Sequence, residues 1–259
     1  MLEEFGAAAQ PKVQKISPYL FIFDLDGTLF DTEYDLAGRI ATLAAENGLE
    51  VTQETVFRRL SGQSPAEKFE LIALMNDVTL EPGQLQALCA AHQAAKRDLL
   101  DRKDLPLVYG ARDLLKTLQK EGHILAVSTN NPEDLAVTAL KHTRLLDFFE
   151  DRVYTPESVG GRGKPDPAMI LKILADLKTE PGRALAVEDS LAGVRAAKAA
   201  GIACFGYADP RFGRGIDRRR RELEQEGATL TVEMLIDLHT LLLARTLPSR
   251  MQKPGFTLD

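Results

Sequence analysis

Apolar positions divide this chain into short apolar runs and longer segments of helical periodicity. Residues 19–23, 123–127, 184–187 and 202–205 form short, mostly apolar runs that end at polar or small residues. Runs of this kind predict strands that are buried on both faces. Helical patterns follow them, so the chain is predicted to be an α/β protein with five or six strands in a parallel sheet covered on both sides.

One segment interrupts this alternation. From residue 31 to about residue 104 the apolar positions recur at helical spacing, and no strand candidate occurs. We therefore expect an all-helical unit inserted into the α/β core. The predicted domains are a leader over 1–16, a core domain over 17–31 and 105–245, a helical cap domain over 32–104, and a tail over 246–259.

The remaining predicted elements lie in the core. Helices are predicted over 111–121, 133–141, 168–177, 193–200, 222–227 and 234–243, and short strands within 148–154 and 228–231.

Two aspartates follow the first predicted strand. The sequence Leu20-Phe-Ile-Phe-Asp24-Leu-Asp26-Gly27 places both carboxylates at the carboxyl end of that strand, where open parallel sheets bind ligands. Neighbouring buried carboxylates are costly without a compensating cation or hydrogen bonds, which favours a functional site. Asp24 is suited to nucleophilic attack on phosphorus, Asp26 to general acid and base work, and Gly27 to a close backbone approach. The structural alternative is a turn in which Asp31 caps a helix.

Groups suited to a phosphate follow two later apolar segments. Ser128 ends a predicted strand, and its hydroxyl, together with the backbone N–H groups of Thr129 and Asn130, is expected to face the same crevice. A helix cap is the alternative role for these residues. Lys164 lies in a glycine- and proline-rich loop, where it would supply a fixed positive charge. An exposed loop lysine is the alternative, and Arg162 is a nearby rival.

A second acidic pair follows the strand predicted over 184–187. Mg²⁺ prefers oxygen ligands in octahedral geometry, and Glu188 with Asp189 would meet the first acidic pair at the same sheet edge. We expect a magnesium site made by Asp24, the backbone carbonyl of Asp26 and Asp189, with Glu188 bound directly or through water. Helix capping by Asp189 or Ser190 is the alternative.

The order of these groups resembles the four motifs of the haloacid dehalogenase (HAD) superfamily from about Tyr19 to Leu243. The helical insertion is similar to the C1-type cap of subfamily I, and Gly-Lys-Pro and Glu-Asp-Ser resemble the branch of β-phosphoglucomutase and small sugar phosphatases. The resemblance implies a Rossmann-like core with a mobile helical cap. It also implies site roles: nucleophile Asp24, acid/base Asp26, phosphate ligand Ser128, stabilising cation Lys164, and Mg²⁺ at Asp24, Asp26, Glu188 and Asp189.

Departures from neighbouring activities favour a phosphatase. Haloacid dehalogenases lack the aspartate that stands here as Asp26. The stretch 60–64 resembles the cap loop of the mutases, yet Pro65 stands where they carry an arginine, and no histidine precedes His92. We therefore expect hydrolysis of a small phosphorylated metabolite, such as a sugar phosphate, through an aspartyl-phosphate. A phosphosugar mutase and a non-catalytic binding protein of the same fold are the alternatives. The candidates for substrate discrimination in the cap are Gly62, Gln63 and Lys68.

Composition and net charge indicate which classes of binding partner are not expected. The chain has 259 residues, is 44% hydrophobic and 27% charged, and carries a net charge of −6, so no nucleic-acid partner is expected. The basic run Arg218–Arg221 precedes several glutamates and is predicted to be a solvated helix face.

Location is inferred from what the sequence lacks. No apolar run approaches the ~20 residues of a membrane span, and no secretory signal is visible. Cys89 and Cys204 are predicted to be buried free thiols. We expect a cytoplasmic monomer without a membrane partner.

Overall fold

The computed structural model describes residues 18–243. The predicted leader over 1–16 and the predicted tail over 246–259 lie outside the described residues. Six strands form one sheet in the order β3-β2-β1-β4-β5-β6, and every neighbouring pair is parallel. The strands are β1 (Leu20–Phe23), β2 (Ile124–Ser128), β3 (Val153–Tyr154), β4 (Ala184–Glu188), β5 (Ala203–Tyr207) and β6 (Leu230–Val232).

Helices connect these strands and also fill the long segment between β1 and β2. They are α1 (Glu33–Glu46), α2 (Gln53–Leu60), α3 (Pro65–Met75), α4 (Pro82–Leu100), α5 (Ala111–Lys120), α6 (Glu133–His142), α7 (Leu146–Phe149), α8 (Ala168–Asp176), α9 (Leu191–Ala199), α10 (Ile216–Glu226) and α11 (Leu235–Leu243). Short 3₁₀ turns occupy Pro156–Val159, Pro181–Arg183 and Pro210–Gly215. The predicted parallel α/β core is confirmed.

Strand β1 explains why helices cover both faces of the sheet. Successive side chains of a strand point to opposite faces, and all four residues of β1 are buried. Phe21 and Phe23 join the apolar cluster under α5, α6 and α11, whereas Leu20 and Ile22 join the cluster under α8 and α9. A strand that is apolar on both faces is therefore stable only between two helical layers.

Helices α1–α4 occupy the segment that the periodicity predicts to be helical. Ser64 begins α3 with a capping box, in which its side chain and that of Glu67 each bind the other residue's backbone N–H. The four helices have an apolar cluster of their own, and Phe57 of this cluster stacks on Phe212 at 4.7 Å between ring centroids. The helical segment therefore contacts the 3₁₀ turn that precedes α10. Its separation as a domain stays a prediction.

Some local predictions need correction. The solvated-face prediction for residues 218–221 is wrong for Arg219, which is only 4% exposed because α10 packs that side toward the sheet. Helix α10 also begins at Ile216, earlier than the predicted 222. Both cysteines are free, but only Cys204 is fully buried, whereas Cys89 is partly exposed. Over residues 18–243, no helix has both the length and the apolar character needed to cross a bilayer.

Candidate active site

The candidate site lies where the order of the strands reverses. The chain passes from β1 to β2 and β3 on one side and then returns to β4 on the other side of β1. Asp24 follows β1, while Ser128 and Glu188 are the last residues of β2 and β4. A crevice at such a switch point is the usual ligand site of open α/β sheets. Here it is a cavity of about 500 Å³, closed on the far side by residues of α3 and α4.

A buried lysine joins the two acidic pairs. Lys164 Nζ lies 2.6 Å from Asp24 Oδ1 and 2.6 Å from Glu188 Oε1. All three residues are more than nine-tenths buried. Burial lowers the pKa of Lys164, but the two carboxylates outweigh this effect and raise the pKa above its usual value. Lys164 is thus a permanent positive charge beside Asp24.

The loop that carries Lys164 is fixed by Asn130. The backbone N–H of Lys164 donates to Asn130 Oδ1 at 2.7 Å, and Asn130 Nδ2 donates to the carbonyl of Lys164 at 3.1 Å. Arg162, the rival cation, is exposed and donates to the carbonyl of Val159 instead. Asn130 therefore holds Lys164 in place, and Arg162 points to a different partner.

Three carboxylates form a cluster suited to a divalent cation. Oxygen atoms of Asp24, Glu188 and Asp189 all lie within 4.8 Å of one another. Among the described residues, Lys164 is the only cation in ion-pair contact with this cluster, and it does not reach Asp189. Burial raises the pKa of Glu188 to about 8, and burial with the Glu33 and Asp24 charges raises the pKa of Asp189 well above its usual value. Carboxyl groups that resist ionisation without a further counter-charge, together with an all-oxygen donor set, fit Mg²⁺.

Two glycines make room for the acidic pair after β4. Gly27 has φ of +74°, and a Cβ there would lie 2.3 Å from Asp189 Oδ2. A Cβ at Gly193, in the first turn of α9, would lie 1.8 Å from Glu188 Oε2. Ser190 caps α9 by accepting a hydrogen bond from the N–H of Gly193, so the predicted capping role belongs to Ser190. The carboxylates of Asp189 and Glu188 therefore occupy space that a side chain at Gly27 or Gly193 would fill.

Asp26 is held by groups from the helical segment and from the sheet-bearing part of the chain. Its Oδ2 lies 2.8 Å from Lys96 Nζ and accepts a hydrogen bond from Asn131 Nδ2 at 2.9 Å, while its Oδ1 accepts from Thr32 Oγ1 at 3.1 Å. Burial favours the protonated acid, but these partners, Lys96 above all, outweigh it and lower the pKa of Asp26. Asp26 is therefore ionised and oriented in this structure.

Lys96 was absent from the sequence-based candidates. It lies on α4, far from Asp26 along the chain, so no local motif connects the two residues. A usable signal was the spacing of His92 and Lys96, which places two basic groups on the same side of one helix. Both residues line the cavity.

The residues after β2 differ in part from the expectation. Ser128 lies one position beyond the Phe23–Val127 pair and thus beside Asp24, fully buried, and its hydroxyl has no hydrogen-bond partner among the described residues. The N–H of Thr129 donates to the carbonyl of Tyr154 at 3.1 Å. It is therefore not free for a phosphate, which corrects that part of the prediction. Thr129 still lines the cavity.

The predicted cap residues also lie at the cavity. Gly62, Gln63 and Lys68 line it from the side of α3. Arg219, a second residue that the sequence analysis missed, donates to the backbone carbonyl of Asp189, and a Cβ at Gly62 would lie 2.9 Å from its Nη1. The spacing of Arg219 and the buried Leu223 on one helical face was the available signal.

Comparisons with known proteins agree with this site. The family model for haloacid dehalogenase-like hydrolases matches residues 21–207, and the chain belongs to this family. It is 35% identical over 185 residues to the validoxylamine A 7'-phosphate phosphatase of Streptomyces hygroscopicus subsp. limoneus, covering 71% of this chain and 83% of that protein. It is 33% identical over 199 residues to the phosphoglycolate phosphatase of Pseudomonas savastanoi pv. phaseolicola, covering 73% and 71%.

A solved structure with the same fold contains an anion. The HAD family hydrolase of Deinococcus radiodurans, solved with bound phosphate and sodium, has a TM-score of 0.71 and 26% identity, covering 89% of this chain and 97% of that chain. These findings confirm the predicted family and the predicted enzyme class, a HAD-like phosphatase.

Proposed function

We propose that this protein is an Mg²⁺-dependent phosphomonoester hydrolase that acts on a small phosphorylated metabolite through an aspartyl-phosphate. The observation that carries this proposal is the buried contact of Asp24 with Lys164, 2.6 Å long, beside two further carboxylates at the same sheet edge. The relatives that act on phosphate esters support the substrate class. The cavity of about 500 Å³ suits a small molecule.

The first step transfers the phosphoryl group to Asp24. A carboxylate oxygen of Asp24 attacks phosphorus, and the bond from phosphorus to the ester oxygen breaks. Lys164 balances the charge of the nucleophile and of the transferred group, which is the main requirement of phosphoryl transfer. Asp26 takes up a proton from solvent before this step and donates it to the oxygen of the leaving alcohol, which leaves Asp26 ionised.

The second step releases phosphate. Asp26 is now ionised and fixed by Lys96, Asn131 and Thr32, as in this structure. It removes a proton from a water molecule, whose oxygen attacks the phosphorus of the aspartyl-phosphate. The acyl-phosphate bond breaks, inorganic phosphate leaves, and Asp24 is regenerated.

The acidic cluster would hold the metal ion. Asp24, Asp189 and the backbone carbonyl of Asp26 would bind Mg²⁺, with Glu188 acting directly or through water. When bound, the ion supplies positive charge that attracts the phosphate and reduces repulsion between it and the carboxylates. Glu188 also orients Lys164, because the two side chains are in contact at 2.6 Å.

The setting of the enzyme is also proposed. Two free cysteines support a reducing compartment, and we propose a cytoplasmic protein that works as a monomer. The net charge of −6 supports the absence of a nucleic-acid partner. The proposed partner is the small substrate alone.

The test is phosphate release from a panel of phosphomonoesters, including p-nitrophenyl phosphate, with and without Mg²⁺. We expect Mg²⁺-dependent release by the wild-type protein and its loss, by about a thousandfold or more, in Asp24→Asn, because the amide is not a nucleophile. Circular dichroism and the unfolding midpoint control for folding. Near wild-type turnover in Asp24→Asn would overturn the proposal. Conversion of β-glucose 1-phosphate with a bisphosphate primer, without net hydrolysis, would identify a mutase instead.

A further inference from the structure

Arg219 is a buried cation beside the acidic cluster, and neither chemical step uses it. A guanidinium stays protonated in proteins, so the charge itself is buried, and burying a charge is costly unless partners compensate. Within residues 18–243 its only ion pair is with Glu222, at 3.5 Å, and Glu222 also pairs with Arg218 at 3.3 Å. A long and shared ion pair does not explain why this charge is buried.

The guanidinium of Arg219 is directed at the loop between β4 and α9. Its Nη2 donates a hydrogen bond to the backbone carbonyl of Asp189. The carboxylate of the same aspartate accepts a hydrogen bond from Thr28 Oγ1 at 3.1 Å. Asp189 is therefore held at two points, by Arg219 at its backbone and by Thr28 at its side chain. A shift of this loop would move the Asp189 carboxylate away from the other two members of the acidic cluster.

Two neighbours determine where the guanidinium lies. Its Cζ is 5.7 Å from the centroid of the Phe212 ring, within the range of a cation–π contact. Gly62 provides space on another side, since a Cβ there would lie 2.9 Å from Nη1 of Arg219. Phe212 belongs to the 3₁₀ turn before α10, and Gly62 lies in the turn before α3. The position of Arg219 is thus set jointly by the sheet-bearing part of the chain and by the helical segment.

We propose that Arg219 is a positioning residue for the metal site, which fixes the loop after β4 so that the Asp189 carboxylate stays in the arrangement that binds Mg²⁺. The planar guanidinium suits this role, because its N–H donors point in fixed directions. Arg219 acts through the backbone of Asp189 and is not itself a metal ligand. This inference rests on the proposed Mg²⁺-dependent activity and adds a residue to its metal site.

The charge of Arg219 and its hydrogen bond have opposite effects on a bound cation. The charge alone repels Mg²⁺, so its removal would tighten Mg²⁺ binding. The hydrogen bond holds a residue that ligates the ion, and the loss of such outer partners typically weakens metal binding by about tenfold to a hundredfold. The direction of the change therefore distinguishes positioning from a purely electrostatic effect.

The test measures the Mg²⁺ dissociation constant of the substrate-free protein by isothermal titration calorimetry, and the Mg²⁺ concentration that gives half-maximal hydrolysis of p-nitrophenyl phosphate. In Arg219→Met we expect both values to rise by about tenfold to a hundredfold. The kcat at saturating Mg²⁺ should recover most of its wild-type value, because every ligand is still present. Arg219→Lys keeps the charge and a donor, so its Mg²⁺ dissociation constant should lie between those of Arg219→Met and the wild type.

Two further variants separate positioning from folding. Arg220→Met is the matched control, because Arg220 is the next residue on α10 and instead contacts Thr231 Oγ1 at 3.0 Å and Glu233 at 3.3 Å. It should leave the Mg²⁺ dissociation constant unchanged. Gly62→Ala removes no charge, but its methyl group displaces the guanidinium, so it should weaken Mg²⁺ binding by less than Arg219→Met does. Unfolding midpoints show that each variant is folded under the assay conditions.

Unchanged or tighter Mg²⁺ binding in Arg219→Met would overturn this inference, while Mg²⁺-dependent hydrolysis by the wild type leaves the proposed function intact. Equal weakening in Arg220→Met, or an inactive Arg219→Met at saturating Mg²⁺, would also overturn it. If Arg219→Met does not fold, unchanged Mg²⁺ binding in Gly62→Ala would have the same consequence. No Mg²⁺-dependent release of phosphate by the wild type would overturn the proposed function and this inference together.

Discussion

Asp26 has a charge and an orientation that depend on a residue outside the sheet-bearing part of the chain. Asn131 and Thr32 provide neutral hydrogen bonds, whereas Lys96 provides the only ion pair to Asp26 among the described residues. A buried carboxylate that loses its counter-charge becomes harder to ionise. Lys96 therefore fixes the charge and the orientation of the proposed acid/base residue.

We expect Lys96→Met to lower kcat for p-nitrophenyl phosphate by about tenfold to a hundredfold, with a smaller change in KM, because Asp26 loses its strongest partner. Steady-state kinetics measure both constants. Arg97→Met is the matched control, since Arg97 is the next residue and forms a largely exposed ion pair with Asp134. Equal kcat values in the two variants would show that Lys96 has no role in the reaction.

Single residues also mark the limits of sequence-based prediction. Asp24, Glu188 and Asp189 follow apolar runs, so their convergence follows from parallel-sheet geometry and could be predicted. Lys164 lies in a loop, and its place in the site was predicted from the family resemblance rather than from a strand end. Lys96 and Arg219 could not be found in this way, because each reaches the site from a helix surface. Nor does the sequence show that the N–H of Thr129 is already paired with Tyr154.

At the scale of an element, helix α4 brings two basic side chains to the cavity. Its Lys96 contacts Asp26, and one turn earlier its His92 is buried at the cavity without a hydrogen bond in the described structure. Burial, then Lys68 and Lys96, hold the pKa of His92 at about 4, although Asp26 acts in the opposite direction. The unfolded chain has a normal histidine, so it binds more protons than the folded protein between about pH 6.5 and pH 4.

The free energy of unfolding should therefore decrease as the pH is lowered from about 6.5 to about 4. We expect the free energy of unfolding to decrease between pH 7 and pH 4.5 by roughly 2 kcal/mol more in the wild-type protein than in His92→Gln, which cannot take up this proton. Urea denaturation at each pH measures the difference. Parallel curves for the two proteins would mean that His92 titrates normally in the folded state.

Element boundaries show why the rest of the fold was harder to predict. Strands β1, β2 and β4 are continuous apolar runs and were predicted to within a residue or so. The start of α10 was missed because its first turns are rich in arginine, a pattern that resembles a solvated face. The short helix α7 lies just before β3, in a region where the apolar residues suggested only a strand.

At the scale of the whole molecule, residues of the sheet edge and of the helical segment meet at one cavity. Contacts between the two parts include Lys96 with Asp26, Arg97 with Asp134, and Phe57 with Phe212. The cavity between them has a volume of about 500 Å³.

We expect saturating Mg²⁺ to raise the unfolding temperature of the wild-type protein by several degrees, because the ion binds a cluster that only the folded chain forms. Differential scanning fluorimetry measures this shift. Asp189→Asn should lose the response to Mg²⁺, yet be at least as stable as wild type without metal, because one of the repelling carboxylates is gone. An unchanged response in Asp189→Asn would place the metal elsewhere.

The two glycines that flank the second acidic pair have a consequence for mutagenesis. A side chain at Gly27 or Gly193 would collide with Asp189 or Glu188, at 2.3 Å and 1.8 Å from a carboxylate oxygen. When every position is substituted and scored for activity, these two will therefore rank with the nucleophile, although glycine has no functional group. A map of intolerant positions would overstate the number of residues that perform chemistry here, because it also records the empty space that the carboxylates require.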